Sequence, residues 1–359
     1  MHRLTKSKLL AQSLAVVGVF LLLFQVCVLI PLVWSRAHVA RDLGCYYVAA
    51  GRILHHAGPY QIPPGFVPSI TPRWYMYSPQ LALTFIPVAK VPFMTVARAW
   101  YLVELSAFWL FAAILARIAS SKWSIAGALR WGVALWTVPD MGTIIIAENI
   151  DAVLWVLFGL GFLLPARGVL WSAIAQVKPF TVPALILASV IERRAVWLPS
   201  LLVVGIGWGA VVAVCGPGVV EDWLRSVSDV ASQGTANVSN ISLSFACVRI
   251  AAMLGYIDFN HPLPQAARHF MLGAELIAIA VTAMCTRKME RDFRYASLTA
   301  AMLLFSPLCW VNYIPLLFLL PAVAIRNGLP TAIWPQVSPH PVAARTPLVD
   351  EPVMHAGDQ

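Results

Sequence analysis

Charge is what this sequence has least of. Asp, Glu, Lys and Arg make up 11% of its 359 residues, against 60% hydrophobic; soluble domains carry about 25% charged and roughly 45–50% apolar residues. The length would allow two soluble domains, and that shortage of charge excludes them. Residues 9–34 contain no charged side chain. As a helix this run would be about 39 Å long at roughly 1.5 Å per residue, more than the ~30 Å hydrocarbon core of a bilayer, so tilt or an interfacial overhang is expected. The composition is that of an all-α polytopic membrane protein.

Other absences narrow the reading. No small-x-small site closes the first apolar run, which is also longer than a signal-peptide core, so a retained span is expected. The six cysteines lack metal-ligand spacing. Cys27, Cys285 and Cys309 lie in or near apolar runs, where a small hydrophobic role is expected; a Cys45–Cys247 pairing stays open. No internal repeat marks a transporter built from two related halves. The net charge of +9 sits in loops between apolar runs. That fits the positive-inside bias and anionic headgroups, and no nucleic-acid partner is expected.

The basic residues orient the chain. Arg3, Lys6 and Lys8 assign the N-terminus to the cytoplasm, so residues 35–77 are expected as a first extracytoplasmic loop. Within it, Arg41–Tyr60 repeats apolar residues at Leu43, Tyr46/Tyr47, Ala50, Ile53/Leu54 and Ala57, a helical period. Arg41, Arg52, His55 and His56 lie off that stripe, and Gly58-Pro59 is a stop signal. An amphipathic helix in the membrane interface is predicted. Prolines and then Trp74, Tyr75 and Tyr77 follow, as in an interfacial aromatic belt. The apolar piece 79–89 is too short to span alone. Spans are expected over 92–116, 126–139, 145–164, 197–215, 270–286, 296–308 and 313–325. Between them, Gln176-Val177-Lys178-Pro179 breaks the run 169–190. A helical hairpin there keeps Arg167, Arg193 and Arg194 on the cytoplasmic side, where a straight span would strand the last two outside. Residues 219–265 form a second extracytoplasmic loop. The domain is then 1–328, with about eight spans plus the hairpin, and 329–359 is expected to be a disordered cytoplasmic tail.

Few polar side chains are placed for chemistry. Asp42 opens the interfacial helix. An unperturbed aspartate is ionised at neutral pH and can act as a general base toward a hydroxyl; in a first helical turn it equally serves as a cap. Glu148 and Asp151, at i and i+3 with Asp140 nearby, are either helix-start carboxylates or ligands for a divalent cation. Lys178, in an apolar stretch beside a proline, draws a phosphate, pairs with a buried carboxylate or snorkels to an interface. Arg249 has a guanidinium fork that matches phosphate, and contact with lipid headgroups accounts for it as well. His55 and His56 are adjacent and point apart, which suits a solvated face. Asn237 and Asn240 lie in N-x-S sequons.

In their order and spacing these motifs resemble the membrane glycosyltransferases of the GT-C superfamily. The closer resemblance is to the polyprenol-phosphate-mannose-dependent alpha-mannosyltransferases (glycosyltransferase family 87) of actinobacterial cell envelopes. It rests on Asp42 with Tyr46/Tyr47, Gly58 and Tyr60, then on Tyr77-Ser78-Pro79 with Pro87 and Pro92. Lys178-Pro179 continues it, followed by Asn240, Ser242 and Arg249, then Ser306-Pro307 with Trp310. It runs over most of residues 10–325. Two positions depart from the family pattern: Asn312-Tyr313 stand where a histidine is usual, and Glu148-Asn149 where a Gln-containing step is usual.

The resemblance implies a GT-C-like bundle with amphipathic helices in its extracytoplasmic loops. It also implies an inverting transfer of a sugar, mannose before arabinofuranose, from a polyprenyl-phosphate donor. The acceptor would be a hydroxyl of a cell-envelope glycolipid or polysaccharide, met on the outer face of the cell membrane. Asp42 would be the base. Arg249, Lys178 and Asn312 would hold the donor phosphate, and Tyr46, Tyr47, Tyr77, Glu148 and Trp310 would line the acceptor or sugar site. Neither a cofactor nor a metal is expected; membrane lipids are the remaining partners. The rival expectations are a transporter or flippase for a lipid-linked envelope precursor, and an inactive assembly subunit.

Overall fold

An apolar chain in lipid must satisfy its own backbone, which favours helices. The computed structural model describes residues 2–36, 41–60, 75, 77–139, 141–146, 149–233, 240, 242–258, 263–306 and 311–328, and no β-strand occurs among them. The first apolar run forms α1 (His2–Phe24), passes through a π-helical turn at Gln25–Leu29 and continues as α2 (Ile30–Arg36). The predicted interfacial helix is α3 (Arg41–Leu54), followed by α4 (Pro79–Phe85), α5 (Phe93–Ser120), α6 (Ile125–Trp136) and α7 (Met141–Ile146). Then come α8 (Asp151–Leu163), α9 (Arg167–Val177), α10 (Val182–Glu192) and α11 (Arg194–Cys215). The remainder is α12 (Gly218–Gln233), α13 (Leu243–Met253), α14 (Gln265–Cys285), α15 (Arg291–Phe305), α16 (Ile314–Leu317) and α17 (Leu319–Arg326).

Among the described residues, four helical stretches are long and apolar enough to cross a membrane: Lys8–Ser35, Phe93–Ser120, Arg194–Cys215 and Gln265–Cys285. Shorter apolar helices, α6, α8, α10 and α13 among them, accompany these four. Together with the composition they make this a membrane protein. The expected span 145–164 is interrupted, because Asn149 and Ile150 leave helical geometry before α8 begins.

At the centre lies α5, which packs against α6, α8 and α17. Its Tyr101, Phe108, Phe111 and Ile114 are almost wholly buried. Small residues let large rings approach a neighbouring backbone, as is common where helices meet in lipid. A Cβ at Gly161 would lie 2.0 Å from Trp171 Nε1, and one at Gly132 2.3 Å from the Trp109 ring. Trp109 Nε1 in turn donates to Gln25 Oε1 at 2.7 Å, which ties α5 to the π-helical turn.

The predicted hairpin is present. Lys178 precedes a proline, so the α region is sterically disfavoured for it; it is extended (φ −145°, ψ 124°) and ends α9. A 3-10 turn at Pro179–Thr181 reverses the chain, and Thr181 Oγ1 pins the return by donating to the Trp171 carbonyl at 2.9 Å. The two feet of the hairpin meet: Arg167 Nη1 lies 3.1 Å from Glu192 and 3.1 Å from Asp292 of α15. Arg326 of α17 closes the same cluster, 3.0 Å from Glu290 and 3.1 Å from Asp292. Tyr295 OH donates to Glu192 at 2.9 Å.

Two expectations are corrected. Helix α3 ends at Leu54, before the Gly58-Pro59 signal. The Ala57 N–H reaches the Arg52 carbonyl at 2.9 Å and the His56 N–H the Ile53 carbonyl at 3.0 Å. That is a Schellman motif, with His56 (φ 56°) taking the left-handed position that glycine usually fills. The open question about cysteines closes as well, since Cys45, buried, and Cys247, exposed, are both free thiols.

Candidate active site

The apolar stripe read in the sequence is the buried face of α3: Leu43, Tyr46, Ala49, Ala50 and Ile53 are each at most 5% exposed. Burying that stripe against α4 fixes the rotation of the helix. Asp42 and Tyr46, at i and i+4, share one face. The Tyr46 ring meets Tyr77 edge-on at 4.9 Å and Phe85 at 5.2 Å. Tyr77 is held in turn by Tyr60, whose hydroxyl donates to the Tyr77 carbonyl at 2.7 Å. Tyr75 OH donates to the Ser78 carbonyl.

Opposite this aromatic wall lies the start of α8. Asn149 Nδ2 donates to Asp42 Oδ2 at 3.0 Å. Asn149 Oδ1 accepts from Tyr46 OH at 2.8 Å and from Lys178 Nζ at 3.4 Å. Lys178 Nζ also reaches Asp151 Oδ1 at 2.5 Å, and Asn312 Nδ2 donates to Asp151 Oδ2 at 2.8 Å. The Asn312 carbonyl accepts from Trp155 Nε1 at 3.1 Å. The Lys178 ammonium stands over two rings, 5.4 Å from the centre of Tyr77 and 5.2 Å from that of Tyr313. A single polar network thus joins α3, the start of α8, the end of α9 and the turn at Val311–Tyr313.

Asp151 and Lys178 are buried, 1% and 6% exposed, and so is Asn149. An isolated charge at such depth would be costly, and the close pair with added hydrogen bonds makes it tolerable. Asp42 is only half-buried. Each carboxylate oxygen can accept more than one hydrogen bond, so Asp42 keeps capacity for a hydroxyl proton beyond its bond to Asn149. Burial first, and then the charges of neighbouring Tyr77 and Asp42, push the Tyr46 phenol well above its ordinary range. Tyr46 therefore stays protonated and acts as a donor.

The structure brings Asp42, Tyr46, Tyr77, Lys178 and Asn312 together. Tyr47 points elsewhere: its hydroxyl donates to the Val91 carbonyl at 2.8 Å and its ring meets Phe93 at 5.3 Å, tying α3 to the start of α5. Arg249 lies on α13 with its guanidinium over Phe245, 4.9 Å from the ring centre. Glu148 and Trp310 lie outside the described residues, as do Asp140, Asn237 and residues 329–359. Of the readings open for Lys178, the structure realises the pair with a buried carboxylate. Asp151 spends its oxygens on Lys178 and Asn312, and among the described residues no cluster of His, Cys, Asp and Glu could hold a metal ion. The sequence reading missed the hub, Asn149, and the second ring over Lys178, that of Tyr313.

A family model described as Glycosyltransferase family 87 matches residues 75–307. The matched segment contains Tyr77, Asn149, Asp151 and Lys178; α3 and Asn312 lie outside it and pack onto it. No curated protein and no solved structure matches the chain.

Proposed function

The chain belongs to glycosyltransferase family 87, and from that premise we propose that it transfers a sugar from a polyprenyl-phosphate donor to a cell-envelope hydroxyl, with Asp42 as the general base. Family membership supports a membrane glycosyltransferase that uses a sugar donor and an acceptor. Mannose is the favoured sugar and arabinofuranose the second; the acceptor is a glycolipid or polysaccharide. The site faces outward, where a nucleotide pool is lacking and a lipid-linked donor is suited.

In the reaction, Asp42 takes the proton of the acceptor hydroxyl as its oxygen attacks the anomeric carbon. The new carbon–oxygen bond forms on the face opposite the phosphate. The bond from the anomeric carbon to the phosphate oxygen breaks, and polyprenyl phosphate leaves with the electron pair, so the configuration inverts. The leaving phosphate needs donors or cations. Lys178, Asn312 and Arg249 are the groups assigned to it, with Lys178 acting in partnership with Asp151. Tyr46 and Tyr77 wall the sugar side.

The observation that carries this reading is the half-buried Asp42 carboxylate, held by Asn149 inside a network otherwise walled by tyrosines. The flippase reading needs a continuous polar path. Below the network the hairpin core is aromatic, with Phe158 and Phe162 5.0 Å and 5.5 Å from Trp171, which speaks against such a path. The test is Asp42→Asn in proteoliposomes supplied with a short-chain polyprenyl-phosphate mannose. Transfer should fall by about 10²–10⁴-fold, the usual range for losing a general base, with expression and insertion unchanged. Undiminished transfer would overturn the assignment.

A further inference from the structure

We propose that Asn149 is the positioning residue of Asp42, a role that rests on reading Asp42 as the base: its side-chain amide, oriented by Lys178 and Tyr46, holds the carboxylate in one rotamer. An ammonium group has only donors and a carboxylate only acceptors. Lys178 Nζ at 3.4 Å must therefore face the amide oxygen, and Asp42 Oδ2 at 3.0 Å must face the amide nitrogen. Tyr46 OH, 2.8 Å from the same oxygen, adds a second donor there. The amide thus has a single usable orientation, and it is nearly buried, 4% exposed, where it cannot rotate out to water. Donors on its oxygen polarise the amide and strengthen the N–H that reaches Asp42. A half-buried aspartate at a helix start would otherwise sample several rotamers, and this bond selects one.

Several titratable groups surround the pair. Tyr46 on its own helix and Tyr77 ahead of α4 are within electrostatic reach of Asp42. Lys178 and Asp151 lie across Asn149. From α5, Tyr101 is buried nearby in the same core, and Glu104 Oε2 accepts the Ala152 N–H at 3.4 Å. Asn149 is the neutral member that couples these charges to Asp42.

The test uses the full chain in detergent with Asn149→Leu, Asn149→Asp and Asn149→Gln. A hydrophobic carbodiimide, which modifies protonated carboxyl groups, is applied across pH, and the Asp42 and Asp151 peptides are followed by mass spectrometry. Losing a donor to a carboxylate disfavours its charged form, and a like charge beside it does so more strongly. Asn149→Leu should therefore raise labelling of Asp42 about tenfold at a fixed pH, Asn149→Asp should raise it further, and Asn149→Gln should restore much of the wild-type profile. Where Asn149→Leu fails to fold, the near-isosteric Asn149→Asp decides alone. An Asp42 profile that stays in place in the folded variants overturns the proposal. In parallel, transfer from short-chain polyprenyl-phosphate mannose should lose kcat with KM held, and the acid limb of its pH profile should move upward. If the wild-type protein transfers nothing from that donor, the donor assignment fails, while the labelling still decides the role of Asn149.

Discussion

The antiparallel pair α8 and α9 carries a charge network at each end, and the two are built differently. At the Arg167 end, Arg167, Arg291 and Arg326 interleave with Glu192, Glu290 and Asp292, so each charge meets its opposite. Glu290 also caps α15 by accepting the Asp292 and Phe293 N–H groups. At the other end Lys178 faces two carboxylates, Asp151 directly and Asp42 through Asn149. Matched charges fasten α9, α10, α15 and α17 to one another. The unmatched end keeps a carboxylate in excess, and that excess is what a base requires. Buried charge alone does not mark a reactive site; its balance tells the two ends apart.

The sharpest way to break that contrast is to remove one partner at each end. Lys178→Met leaves Asp151 buried without its cation and should cost about 3–5 kcal/mol, as expected for breaking a buried pair. Thermal unfolding in detergent would read the loss, and transfer should vanish with it. Adding Asp151→Leu to that variant should recover most of the stability and none of the transfer. Arg167→Met should destabilise by a comparable amount, yet transfer per folded molecule should stay within about twofold. Equal catalytic loss from both single variants would erase the distinction.

Smaller effects sharpen the comparison. Tyr46→Phe and Tyr47→Phe each remove one hydroxyl, worth about 0.5–1.5 kcal/mol as a hydrogen bond. Only the Tyr46 variant, whose hydroxyl faces Asn149, should slow transfer; initial rates on the two proteins would check this. Smallest of all, Arg225→Ala removes an exposed i,i+4 pair with Glu221 on α12 and should change stability by less than about 0.5 kcal/mol.

Much of the architecture could be read ahead. The period of Leu43, Tyr46, Ala50 and Ile53 foretold the buried face of α3, and the basic residues around Lys178-Pro179 foretold the hairpin. The Lys178–Asp151 pair was within reach too. An intramembrane lysine needs a carboxylate, and an antiparallel turn between Leu163 and Arg167 sets the start of α8 against the end of α9. The bond from Asn149 to Asp42 was not legible, because it joins residues far apart in sequence and an amide carries no charge pattern to follow. At the Arg167 end, cations were read as loop charges. Their partners Glu192 and Asp292 are helix-end acids, which local pattern alone assigns to caps. The stop at His56 was missed for a related reason: the chain used a residue other than glycine in the left-handed position.

The π-helical turn at Gln25–Leu29 has a further consequence, one of phase. One residue in an α-helix corresponds to about 100° of rotation, at 3.6 residues per turn. Losing a single residue from that turn would let the helix close into regular α geometry and swing α2 by about that angle. Trp34, whose carbonyl accepts Arg98 Nε at 3.2 Å and whose ring lies 5.1 Å from the Arg98 guanidinium, would then face away from α5. Any comparison of this chain with another across that turn must count residues as angles: a gap misplaced by one position turns the whole of α2 to the wrong side.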